Sequence, residues 1–182
     1  SQMINGLFQI QYKSINGIAN IFTFARNKDR IKTVSKINDF KPYLYINKDT
    51  YYNRHDYKQH IVAVDTKEYN TIFNKPVMKC FVKRPSSLYH IKKLLTREVI
   101  HEADVLFPLR YAIDKVDEIS EGDYKITTFD IETDCSKGFP KWENPVEPII
   151  CISIHDNYSN TIETYVWRSD MKSEIRPLRD GS

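Results

Sequence analysis

A chain of 182 residues has room for one or two ordinary domains, and 41% hydrophobic with 28% charged residues is the make-up of a globular chain rather than a disordered one. Net charge is +3, but residues 1–100 carry 18 Lys/Arg against 7 Asp/Glu, and residues 101–182 carry 9 against 17. No apolar run nears the roughly 18 residues of a membrane span, and three scattered cysteines exclude a disulfide framework or a CxxC site.

Leu7–Tyr12 alternates and Ile18–Phe24 follows Asn16-Gly17, which predicts two strands joined by a tight turn. Pro42–Ile46, His60–Val64 and Val77–Val82 read as further strands, the first opening on a proline where a strand tolerates one. Thr66–Phe73 is expected to be a short helix. Pro85-Ser86-Ser87 opens another, with Ser86 or Ser87 as its cap. On it Leu88, Ile91, Leu94 and Leu95 share one face, and Lys92, Lys93 and Arg97 the other. Leu106–Lys115 is a further helical segment, and the acidic Asp117–Asp123, with Gly122, reads as a linker.

Beyond the linker, Tyr124–Ile131, Ile149–Ile154 and Thr161–Trp167 are strand candidates. Residues 136–148 form an irregular loop, and 156–160 a turn. Three successive strands leave edges and an open face. The chain is therefore expected to be the front piece of a longer protein, with Ser1-Gln2 and Gly181-Ser182 as remnants of cloning. No secretory signal is expected at the start, and a reducing, intracellular setting fits the cysteines.

Phe129-Asp130-Ile131-Glu132-Thr133 is the most informative segment. On a strand, side chains alternate, so Asp130 and Glu132 point one way while Phe129 and Ile131 point into a core. Two carboxylates side by side repel, and a hard divalent cation removes the conflict. Such a pair can form half of a two-metal site for phosphodiester hydrolysis. D-x-E is a common tripeptide, and on spacing alone a solvated strand face is the simpler reading. Asp134, two residues on along the same face, is a candidate third ligand but is read as a surface acid, and Cys135 and Cys151 as packing residues.

The wider pattern changes that balance. Lys125–Thr133 resembles the first exonuclease motif of family B DNA polymerases. Glu147–Ser153 looks like the family's next strand, and Phe107–Lys115 is similar to its segment before the exonuclease domain. Asn74–Val77 and Lys41–Tyr45 resemble its N-terminal domain, most of all the archaeal branch. These matches stand in the family's order over about residues 40–155. The resemblance implies an α+β chain. Residues 1–120 form a mixed α/β domain, single-strand-binding-like, and 121–182 begin a 3′→5′ exonuclease domain with antiparallel ribonuclease-H-like strands. It implies Asp130 and Glu132 as catalytic ligands of Mg²⁺ or Mn²⁺. Two more aspartates, a tyrosine and the polymerase palm would lie beyond residue 182, so this fragment alone is expected to be inactive. The implied partner is DNA, as single-stranded template and primer end, with dNTPs only for the parent.

Lys83, Arg84, Lys92, Lys93 and Arg97 surround one helix start and its outer face and are candidates for phosphate contact. The 12 tyrosines can stack on unpaired bases or pack in the core. Archaeal members carry a pocket that recognises template uracil, and the matching positions are Pro42, Tyr43, Pro85, Leu88, Phe107 and Arg110. Leu88 is larger than the residue usual there, which narrows or closes the pocket, and Phe107 and Pro42 serve equally well as core. Two other readings stay open: a stand-alone nucleic-acid-binding module, which the basic half alone supports, and a small metal-dependent nuclease, which is short of ligands.

Overall fold

The computed structural model describes residues 2–167; the predicted tail Arg179–Ser182 lies outside them. The chain divides into two compact units, Ser1–Asp123 and Tyr124–Ser182.

The first unit opens with β1 (Gln2–Asn5), β2 (Leu7–Ile15), β3 (Ile18–Arg26) and β4 (Lys32–Ile37). The β2–β3 turn falls at Asn16-Gly17, as expected: Ile15 pairs with Ile18, and both turn residues have positive φ. Gly6, with φ +64°, joins β1 to β2, and a Cβ there would stand 1.8 Å from the Arg26 carbonyl oxygen. β4 then completes the order β2-β3-β4.

Next come β5 (Tyr43–Asn47), α1 (Lys48–Asn53), a single 3-10 turn (Lys58–His60), β6 (Ile61–Asn70) and β7 (Pro76–Val82). The helix expected over Thr66–Phe73 is not formed. Tyr69 and Asn70 pair with Val77 and Pro76, and a register shift between Asp65 and Tyr69 absorbs the polar run. Cross-strand pairing outweighs local helix propensity here.

α2 (Pro85–Leu94) follows. Neither serine caps it: Arg84 is the N-cap, without a side-chain bond, and Pro85 occupies the first turn, where its missing N–H costs nothing. Leu88, Ile91 and Leu95 are buried, but Leu94 is 38% exposed, so the apolar stripe is narrower than expected. Arg97 sits in the turn after the helix, not on its face.

β8 (Ile100–His101), α3 (Phe107–Lys115) and β9 (Val116–Ser120) complete the unit. The segment expected as a linker is largely this last strand, which pairs parallel with β1. The acids of β9 are exposed while Val116 packs on the core, so a charged strand is tolerated at a solvated edge.

Two cores result. The first lies between α2 and one face of the antiparallel sheet β6-β7-β5-β8, around Leu44, Ile46, Tyr57, Cys80, Val82 and Ile91. The second gathers Ala19, Ile21, Phe107 and Tyr111, with Phe40 and Val116 against them.

The second unit is an antiparallel sheet, β10 (Thr127–Thr133), β11 (Ile149–Asp156) and β12 (Thr161–Val166), in that order. Asp156 closes the turn: its Oδ1 accepts the Tyr158 N–H at 2.6 Å, and its carbonyl accepts the Asn160 N–H at 2.8 Å. Phe129 and Ile131 share a face with Ile152 and Ile154 by register. That face is not a core among the described residues, because Phe129 is 65% and Ile131 45% exposed. No helix of the described residues is long and apolar enough to cross a membrane.

Candidate nucleic-acid and metal site

Asp130 and Glu132 both lie on β10, separated by one residue, and so project from one face. In register, Asp130 stands opposite Ser153 and Glu132 opposite Cys151. A strand rise of about 3.3 Å per residue spaces their Cα atoms by roughly 7 Å, within reach of a shared ion for two side chains of this length. Both are exposed, and neither forms an ion pair among the described residues. Asp130 Oδ1 accepts the Ile131 N–H at 3.1 Å.

Asp134 does not extend this row. The pairing slips between Glu132 and Thr133, and the strand ends there. Asp134 instead accepts the Ser136 N–H through Oδ1 at 2.8 Å, shaping the loop. Cys135, expected as packing, is exposed. The donor set is carboxylate oxygen only, which suits Mg²⁺ or Mn²⁺. No group of three acidic, histidine or cysteine side chains converges among the described residues, so the pair supplies two ligands and no more.

In the first unit the six pocket positions come together. Pro42, Tyr43, Pro85, Leu88, Phe107 and Arg110 line one cavity of about 400 Å³. Tyr12, Tyr89, Lys92 and Asp104 are also among its walls. Arg110 is 6% exposed; its guanidinium pairs with Glu102 at 2.7 Å and lies 4.5 Å from the Tyr43 ring centroid. Tyr43 in turn donates its hydroxyl to Asp114 at 2.6 Å. Burial and that bond push the Tyr43 hydroxyl well above the usual phenol range, so it remains a donor. Asp114, 71 positions from Tyr43 along the chain, was not legible as its partner in the sequence, since only the fold brings the two together.

The five basic candidates are all exposed but do not form one cluster. Lys83 and Arg84 precede α2, whereas Lys92 and Lys93 lie in its last turn; ten helical residues span about 15 Å. Lys92 is paired with Asp104, whose carboxyl it holds below the usual range. Lys93 lies over the Tyr89 ring at 4.4 Å.

Comparison with known proteins bears on these features. The sequence profile of DNA polymerase family B, exonuclease domain, matches residues 77–174, more than half of the chain. The chain belongs to that family. The family B DNA polymerase from the hyperthermophilic archaeon Pyrobaculum calidifontis is similar in structure, with a TM-score of 0.69 and 17% identity, over 90% of this chain and 26% of that one. At that identity the likeness speaks for the fold, and the chain spans about a quarter of that polymerase. No curated protein matches the chain in sequence. The family match includes β10 with Asp130 and Glu132, and also α2 and α3, which line the cavity.

Proposed function

We propose that this chain is the N-terminal part of a family B DNA polymerase that copies DNA and proofreads 3′→5′. The first unit, single-strand-binding-like, holds unpaired template; the second begins a ribonuclease-H-like exonuclease. The observation that carries the reading is the co-facial pair Asp130 and Glu132, exposed, without cationic partners among the described residues, and inside the matched family segment.

These two side chains would hold Mg²⁺ or Mn²⁺, which supplies activation of water and stabilisation of the leaving oxygen when bound. The protein's own part is to fix the carboxylates on a paired strand, so that little is lost in ordering them. Two ligands do not close a two-metal site, so the isolated chain has at most negligible nuclease activity and no polymerase activity. A Mg²⁺-dependent single-strand nuclease activity of this chain that vanishes in Asp130→Ala would overturn that. In the intact polymerase the same substitution abolishes proofreading and spares synthesis; retained proofreading contradicts the assignment.

The cavity around Arg110 is the proposed template-base pocket. Its apolar walls and buried guanidinium suit a planar base with polar edges, and its volume falls in the usual range of small-ligand pockets, about 300–1,000 Å³. Leu88 forms one wall, which leaves the cavity narrowed but not closed. Preference for uracil over thymine in single strands tests it; equal affinity removes base discrimination from the account.

A further inference from the structure

The sheet β6-β7-β5-β8 has a second face, opposite the α2 core. Alternation puts Tyr43 and Tyr45 of β5 there, and with them Lys79 and Phe81 of β7, since Tyr43 pairs with Phe81 and Tyr45 with Lys79. The rings touch in a row: Tyr43–Phe81 at 5.7 Å, Tyr43–Tyr45 at 5.8 Å and Tyr45–Tyr69 at 5.4 Å between centroids. The Lys79 ammonium lies among them, 4.0 Å from the Tyr43 centroid and 5.4 Å from that of Phe81. It forms no ion pair among the described residues. Asp65, its cross-strand neighbour, accepts the Tyr69 hydroxyl at 2.7 Å and the Lys67 N–H at 2.9 Å, and Lys79 acts on it only as the weakest of several charges and bonds.

Over this face opens a cavity of about 850 Å³, larger than the one around Arg110. Tyr43, Lys79 and Phe81 form its sheet side, Phe40 and Tyr111 add rings from outside the sheet, and Lys41 and Lys115 add charge. Three lysines stand against two aspartates, Asp39 and Asp114, and Asp114 is already bound to the Tyr43 hydroxyl. Tyr43 borders both cavities, with Lys79 on this side and Arg110 on the other.

We propose that this larger cavity is a second nucleotide site, distinct from the template-base pocket. It takes one nucleotide unit, its base against the rings of Phe40 and Phe81 and its phosphate on Lys79, Lys41 and Lys115. Half-buried rings offer a flat apolar surface that any base can use, and an ammonium held by rings rather than by a carboxylate keeps its charge for a phosphate. The unit belongs either to a single strand crossing Tyr43 between the two cavities or to a free nucleotide. Only the first source rests on the template-binding reading above.

The test uses the whole chain at low salt with a labelled ten-residue oligothymidylate and, separately, with thymidine monophosphate. Lys79→Gln weakens the ligand that uses the site at least tenfold, whereas Lys48→Gln, exposed on α1 and outside both cavities, changes it less than twofold. For the oligonucleotide, Lys79→Gln also lowers the slope of log affinity against log salt by about 0.7, one single-strand phosphate. Photo-crosslinking of an iodouracil oligonucleotide then marks Phe81 or Phe40. Thymidine monophosphate binding that is lost in Lys79→Gln, with no oligonucleotide binding, supports a free-nucleotide site while removing the template reading. Wild-type affinity of Lys79→Gln for both ligands, or adducts confined to Tyr12 and Tyr89 of the smaller cavity, overturns the proposal. A urea unfolding midpoint of Lys79→Gln equal to that of the wild type shows that the loss is one of contact and not of folding.

Discussion

Individual side chains differ in how much of their role the sequence discloses. The alternation of Asp130 and Glu132 was legible because a strand repeats every two residues, and the register places both on one face. Cys135 was not: it lies in the loop after β10, where no period applies. Cys80 and Cys135 should therefore react very differently. Burial pushes the Cys80 thiol up to about 12, and the residue is fully enclosed. A thiol reagent at pH 8 modifies Cys135 at once and Cys80 only on unfolding, as mass mapping of the adducts will show. Fast labelling of Cys80 in the folded chain contradicts this packing.

Asp156 makes a second prediction at this scale. Its bond to Lys125 at 2.8 Å, helped by the N–H groups of Tyr158 and Ser159, holds its carboxyl below the ordinary range. A group depressed in the folded state stabilises it fully above the unfolded value near 4 and loses that contribution as pH falls through the folded value. Thermal melts between pH 6 and 2.5 should show the second unit weakening below about pH 4. Asp156→Asn should flatten that part of the profile.

At the scale of elements, α2 and the β2–β3 hairpin were legible because each carries a local signal: a buried stripe at helical spacing and Asn-Gly at a two-residue turn. β1 and β9 were not, since a parallel pair between residues more than a hundred positions apart leaves no local trace. Nor was β6 beyond Asp65, where pairing with β7 overrides the local preference of the run. Ile91, fully buried between α2 and the sheet, tests that packing. Ile91→Ala should cost about 2–5 kcal/mol in urea unfolding, and a change below about 1 kcal/mol would mean α2 is not seated as described. Gly6→Ala combines a left-handed backbone, of order 1–3 kcal/mol on its own, with a Cβ driven into the Arg26 carbonyl. It should destabilise the first unit by more than that range's lower end.

For the whole molecule, the charge asymmetry read at the outset has a structural counterpart. The first unit, which holds the basic first hundred residues and α3 with Arg110 and Lys115, has two cavities bordered by lysine, arginine and aromatic rings. The acidic half supplies a sheet with an exposed carboxylate pair. Membership of the polymerase family joins the two in one account. Its central claim is that Asp130 and Glu132 bind a divalent ion, and Mn²⁺ titration of the chain, followed by NMR, tests it most directly. The account predicts paramagnetic broadening centred on the amides of residues 129–133 and 151–153, lost in Asp130→Asn and in Glu132→Gln. Broadening that leaves this strand pair untouched, or that persists in both variants, would contradict it.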